Sequence, residues 1–84
     1  MSEYLEKEII LIISEISGVD EEEIKLDSNF ATDLEFDSIK SIELVVALEK
    51  KYKVSIRDED IPKIATVKQV IDITGQLIEQ NTTP

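Results

Sequence analysis

Asp37 and Ser38 are the residues of this chain best placed for chemistry. They sit inside Asp33-Leu34-Glu35-Phe36-Asp37-Ser38-Ile39-Lys40-Ser41-Ile42-Glu43-Leu44, where a polar stretch gives way to a helical pattern. An Asp at that boundary can cap a helix, and the Ser that follows falls in the first turn, where backbone N–H groups have no partner. Its hydroxyl then points to solvent beside a carboxylate and an electropositive helix end, a position suited to a phosphate ester. The same pair also serves as a plain N-cap, and spacing alone favours that simpler use. The sequence contains no His and no Cys. A Ser-His-Asp relay, thiolate chemistry, disulfides and Cys/His zinc sites are therefore excluded, and no self-contained enzyme is expected. The acidic run Asp20-Glu21-Glu22-Glu23 lacks the alternating ligands, central Gly and terminal Glu of a calcium loop, so no metal site is expected there.

The elements that must position Asp37 and Ser38 can be read from periodicity. From Glu3 to about Ser17, the residues Leu5, Ile9, Ile12, Ile13 and Ile16 share one helical face. Ser2 is placed to cap this helix and Gly18 to end it. Tyr4, Ile10 and Leu11 widen its apolar surface, predicting neighbours on more than one side. Residues 18–36 form a long connection, with Asp20–Ile24 able to make one helical turn and Ile24, Leu26, Phe30 and Leu34 as apolar anchors. A second helix is expected from Asp37 or Ser38 to about Tyr52. Ile42, Val45, Leu48, Glu49 and Tyr52 share one face, with Leu44 beside it. Ile39, Ile42 and Val46 form a second apolar strip, more than one core contact requires. Val54 to Asp60 reads as an extended link, and Ile61 to Ile64 as a brief turn around Pro62. Thr66-Val67-Lys68-Gln69 matches a capping box at the start of a last helix that carries Val67, Val70, Ile71, Leu77 and Ile78. Residues 81–84 read as a frayed tail. No turn dipeptide separates alternating runs, so no hairpin is expected. The fold class is all-α: one domain over residues 1–84, a small bundle of three main helices plus one or two short ones, with a long first loop.

Composition narrows the partners. Nineteen acids against nine bases give a formal charge of −10 over 84 residues. Such a surface repels nucleic acid and anionic membranes and attracts basic protein surfaces, although acidity also serves solubility alone. The acids concentrate early, with nine acids and one Lys in residues 15–37. The apolar run Ile9–Ile13 is too short to cross a bilayer, and no signal peptide is recognised. The expectation is a cytoplasmic monomer without membrane insertion and without nucleic acid.

The segment around Ser38 resembles the acyl carrier protein signature, in which Asp-Ser is followed by a large aliphatic residue, here Asp37-Ser38-Ile39. Asp33-Leu34 before it, Ile42-Glu43-Leu44 and Ala47-Leu48-Glu49 after it, Ile56 through Ile64 as a short third helix and Ala65-Thr66-Val67 extend the resemblance from Tyr4 to Leu77. It implies a four-helix bundle whose Ser38 receives 4′-phosphopantetheine from coenzyme A through a phosphopantetheinyl transferase. The arm's thiol would then hold acyl groups as thioesters for acyl-chain synthesising or transferring enzymes in fatty acid, polyketide or related lipid biosynthesis. By the same resemblance, Asp37 helps bind the metal during arm transfer, and Ile39, Ile42, Glu43, Val46 and Glu49 form the partner-docking surface. Leu48, Ile64 and Ile71 are candidates to line an interior that an acyl chain can enter. The chain itself would be a substrate and shuttle. A same-fold carrier of aminoacyl or peptidyl groups, and an acidic interaction module without a prosthetic group, remain as alternatives.

The sequence departs from the family pattern at three places. Glu35 stands where Gly is usual, which removes the easy access to positive φ and implies a differently shaped approach to the serine. Lys40 and Lys50-Lys51 stand where acids are frequent. Asp37-Ser38-Ile39-Lys40 is also similar to carrier domains of polyketide and polyunsaturated fatty acid synthases, which implies a specialised, free-standing carrier.

Overall fold

Three runs of helical periodicity become three helices, and their ends fall where local chemistry stops them. A computed structural model describes residues 2–82. It contains α1 (Ser2–Ser17), α2 (Ser38–Tyr52) and α3 (Val67–Thr82), with short 3-10 helices at Glu21–Glu23 and Asp58–Lys63. Among the described residues there is no strand, only an isolated antiparallel bridge between Asn29 and Thr66, and no helix is long and apolar enough to cross a membrane. The structure is the expected all-α bundle of three main helices.

Helix α1 ends at Gly18, whose φ of +79° lies where a side chain would be strained. The Gly18 N–H donates to the Ser14 carbonyl at 2.9 Å, and the Ser14 hydroxyl donates to the Val19 carbonyl at 2.6 Å. Ser2 is the first residue of α1, and its side chain lies outside those described. At α3 the capping box is realised. Gln69 Oε1 accepts from Ala65 N at 2.7 Å and Thr66 N at 3.0 Å, while Gln69 N donates to Thr66 Oγ1 at 3.4 Å. Two expectations shift. The second 3-10 helix starts at Asp58, three residues before the turn read from Ile61. In the tail, α3 continues through Asn81 and Thr82, while Thr83 and Pro84 lie outside the described residues.

The core draws on every element. Ile9 and Ile13 from α1, Leu44, Val45 and Leu48 from α2, and Val67, Val70 and Ile71 from α3 are buried. Ile24, Phe30, Leu34, Phe36 and Ile56 join them from the connections. Helix α1 packs against both α2 and α3, yet it buries less of itself than expected. Ile10 is partly buried against the core, whereas Tyr4 and Leu11 face solvent, as does Leu26 in the loop.

The long first loop is not free. Its backbone groups find partners across the molecule, as buried peptide groups must. Phe30 N donates to the Ala65 carbonyl at 3.0 Å, Val67 N to Ser28 at 3.1 Å and Lys68 N to Leu26 at 2.9 Å. Within the loop, Asn29 Oδ1 accepts from Ala31 N and Thr32 N, and Asp33 Oδ2 accepts from Asn29 N. The segment leading to Ser38 is thereby fixed to the first turn of α3.

Candidate functional site

Helix α2 opens with the polar pair that the sequence singled out. Asp37 is its N-cap, with extended backbone (φ −98°, ψ −175°), and Oδ1 accepts from Lys40 N at 2.9 Å. The Asp37 carbonyl accepts from Ser41 N at 3.0 Å. Only one carboxylate oxygen is used; the other makes no hydrogen bond to a described residue. Ser38 follows as the first helical residue, exposed, its hydroxyl bonded to none of the described residues. Exposed Asp33, Glu35, Asp37 and Glu43 stand near it in the chain, with Lys40 the nearby base. An added phosphate would meet repulsion from these carboxylates and attraction from Lys40 and the helix end. Solvent screens the side-chain charges more than the N–H groups it would touch.

Glu35 corrects an expectation. It adopts the left-handed conformation that its side chain was expected to disfavour, with φ +52°. That conformation costs roughly 1–2 kcal/mol for a residue with a Cβ. The next residue offsets it. Phe36 N donates to the Phe30 carbonyl at 2.8 Å. Its ring is only 8% exposed and lies 5.0 Å from that of Phe30, tilted by 57°. Burying such a ring contributes about 1.5–3 kcal/mol, and an aromatic pair about 0.5–1.5 more. The turn is thus held by what it lets Phe36 bury.

One face of α2 stays open. Ile39 is 67% exposed, Ile42 56% and Val46 40%, and Glu43 is exposed beside them. Ile42, which either apolar strip of the sequence could claim, belongs to the outer one. Contiguous exposed aliphatic side chains of this kind mark interaction surfaces more often than chance placement. The structure brings Ser38, Ile39, Ile42, Glu43 and Val46 together along this face.

The profile of the phosphopantetheine attachment site family matches residues 7–74. The chain belongs to the acyl carrier protein family. It is similar to the crystal structure of the acyl carrier protein from Thermotoga maritima, at 36% identity over 95% of this chain and 93% of that one, with a TM-score of 0.81. It is also similar to a chain from Mycobacterium tuberculosis assigned as an acyl carrier protein, at 29% identity over 86% of this chain and 96% of that one, with a TM-score of 0.81. The cofactor of this carrier protein is covalently attached 4′-phosphopantetheine. Its family is not catalytic, and the carrier fold implies interaction with modifying and acyl-handling enzymes.

The residues present fit that group. A phosphodiester needs an accessible hydroxyl and room on its solvent side, and Ser38 offers both. Among the described residues no group of three or more His, Cys, Asp or Glu could hold a metal ion. A cation at Asp37 would therefore take most of its ligands from outside this chain.

Glu49 is placed differently from its expected companions. Half-buried, it accepts from Ile56 N through Oε2 at 2.8 Å, which ties the link after α2 back to the helix. One turn on, the Tyr52 hydroxyl donates to Glu8 Oε1 of α1 at 2.7 Å. Lys51 Nζ reaches Glu8 Oε2 at 4.0 Å and lies 5.9 Å from the centre of the Tyr52 ring. Burial, and then the Glu8 carboxylate, push the Tyr52 hydroxyl well above its ordinary range. Beneath the first turns of α2 lies an apolar recess of about 30 Å³, lined by Phe30, Phe36, Ser41, Leu44, Leu48 and Ile64 among others. Leu48 and Ile64 line it as expected. Ile71 is buried elsewhere in the core, and its neighbour Val70 takes that place. Sequence reasoning did not assign Phe30 or Phe36 to the recess. A signal was available, since these are the chain's only two Phe residues and both fall in the approach to Ser38.

Proposed function

We propose that Ser38 is the attachment point of the phosphopantetheine arm, and that the carrier ferries acyl groups as thioesters during fatty acid, polyketide or related lipid biosynthesis. The observation that carries this reading is the exposed Ser38 at the first position of α2, its hydroxyl bonded to none of the described residues, next to a cap that uses one of its two carboxylate oxygens toward them. In the transfer, Ser38 Oγ attacks the phosphorus bearing the pantetheine moiety of coenzyme A. The new Oγ–P bond forms as the pyrophosphate P–O bond breaks. Adenosine 3′,5′-bisphosphate leaves with the bonding electrons, and the serine proton passes to a base of the transferase. Asp37, whose second carboxylate oxygen makes no hydrogen bond to a described residue, would offer one ligand to a divalent cation brought by the transferase, which would supply charge neutralisation at the phosphate.

Ile39, Ile42 and Val46, flanked by Glu43, supply the surface on which the transferase and acyl-handling enzymes dock. Their exposure supports this use, and an apolar strip bordered by an acid suits partners that present an apolar patch with a basic rim. Glu49 belongs at the edge of that surface, with its carboxylate already committed to Ile56. The apolar recess beside the site favours acyl over aminoacyl cargo, because a charged amino group gains nothing there.

Intact mass spectrometry after incubation with coenzyme A and a phosphopantetheinyl transferase tests the assignment. One arm is expected on the wild-type chain and none on Ser38→Ala, with the two folding alike. An arm on the Ser38→Ala chain, or an unmodified wild-type chain across several transferases, sinks it.

A further inference from the structure

We infer that the groove between α1 and the first 3-10 helix is a second docking site, shaped for a basic amphipathic helix of a partner protein, and that it can be filled while Ser38 stays accessible. This goes beyond the carrier role and does not depend on what Ser38 bears.

The groove is open, about 510 Å³, and is lined by Lys7, Glu8, Ile10, Leu11, Glu21 and Glu22. Its apolar residues are Leu11, 48% exposed, and the partly buried Ile10. Exposed Tyr4 stands two turns before Leu11 on the same side of α1, which continues the apolar stripe along the helix. The opposite wall is held in place. Ser14 Oγ donates to the Val19 carbonyl and Ser17 Oγ accepts from Val19 N at 3.1 Å, across the turn at Gly18. Buried Ile24 follows the 3-10 helix directly and anchors it. A groove formed in advance spares the cost of ordering it on binding. Three of its six lining residues are acids and one is a base. Glu8 already meets Tyr52 and Lys51. Glu21 and Glu22 carry no ion pair among the described residues, and Lys25 Nζ meets only the Glu22 carbonyl. That arrangement attracts Lys or Arg set beside an apolar face. A second copy of this chain would bring a charge of −10 and the same acids to the contact, and an anionic membrane would be repelled likewise. Position gives the site its use. Glu8 bonds Tyr52, the last residue of α2, and Ser38 is the first. The 15 residues of α2 put about 20 Å between the two ends. One protein can hold the carrier at this end while another works at Ser38.

The test uses the full chain and a synthetic helical peptide with Leu along one face and Lys along the rest, titrated by calorimetry and by NMR. A peptide of the same composition in scrambled order, which has no apolar face, is the control. The helical peptide is expected to move the Ile10 and Leu11 methyl signals and to leave the Ser38 and Ile39 amides in place. Leu11→Ser should weaken binding about fivefold or more. Glu21→Lys combined with Glu22→Lys should weaken it about tenfold at low salt and less at high salt. All three positions are exposed, so the variants should melt within a few degrees of the wild type. Unchanged affinity in Leu11→Ser, equal binding of the scrambled peptide, larger shifts at Ile42 and Val46 than at Leu11, or a shifted Ser38 amide overturns the inference. So does a wild-type dimer, or binding to anionic vesicles, that Leu11→Ser abolishes, since either gives the groove another occupant.

Discussion

The two ends of α2 are built on opposite plans. At the N-terminal end, among the described residues, a single side-chain bond from Lys40 N to Asp37 closes the helix, and the next residue is exposed with its hydroxyl bonded to none of them. At the C-terminal end the helix is tied twice by carboxylates, to Ile56 through Glu49 and to α1 through Glu8 and Tyr52. One end is secured to the body of the molecule so that the other can be left open. If Ser38 is to enter a transferase's active site, as proposed, it cannot also be part of the packing that holds its helix.

Substitutions at the two ends measure how real that division is. The largest loss of stability is expected from Glu49→Ala, which strips the acceptor from the N–H of buried Ile56. An unsatisfied buried N–H costs about 1–3 kcal/mol, and each kcal/mol lowers the melting temperature of a domain this size by about 4–8 °C. Asp37→Ala should cost less stability, about 1 kcal/mol for a lost cap, yet slow arm transfer markedly in the mass assay. If it costs more stability than Glu49→Ala and leaves transfer untouched, the two ends are not divided in this way. The smallest effect is expected from Tyr52→Phe, about 0.5 kcal/mol at neutral pH, because both partners of that bond are half open to solvent.

Alkali separates Tyr52 from the rest. Its hydroxyl titrates higher in the folded chain than its ordinary value of 10.0, because burial and Glu8 disfavour the anion. Its stabilising contribution is therefore complete below about pH 10 and is lost as pH rises beyond that. The wild-type chain should lose stability more steeply than Tyr52→Phe above that point, as read by denaturant melts at successive pH values. Parallel curves would mean that the hydroxyl is no more constrained in the fold than in the unfolded chain.

Features fixed by neighbours in sequence were legible before any coordinates. Gly18, the box from Thr66 to Gln69 and the apolar strips each encode their structure within a few residues, so the helices and their order followed directly, while the open face of α2 was implied only by the resemblance. The resemblance around Asp37-Ser38-Ile39 added the cofactor, where spacing by itself favoured a simple cap. What escaped was non-local or cooperative. Tyr52 and Glu8 stand 44 residues apart, and nothing near either one announces the other. Glu49 shares a helical face with Val45, Leu48 and Tyr52, yet its spacing does not announce the backbone N–H seven residues on that engages it. Glu35 was misread because its own preference was weighed without the burial of Phe36 that outweighs it. Local preference is a fair guide only where no neighbour has more to gain.

The bonds between the first loop and the start of α3 set how the molecule can breathe. Phe30, Val67 and Lys68 donate across one seam, which joins the regions of Asn29 and Thr66, 37 residues apart, and encloses all of α2. Their amides are expected to exchange with solvent as one cooperative unit, at a common opening free energy, because the three bonds join the same two segments. The long loop, which by length looks like the most pliable part of the chain, therefore opens only when the first turn of α3 opens with it.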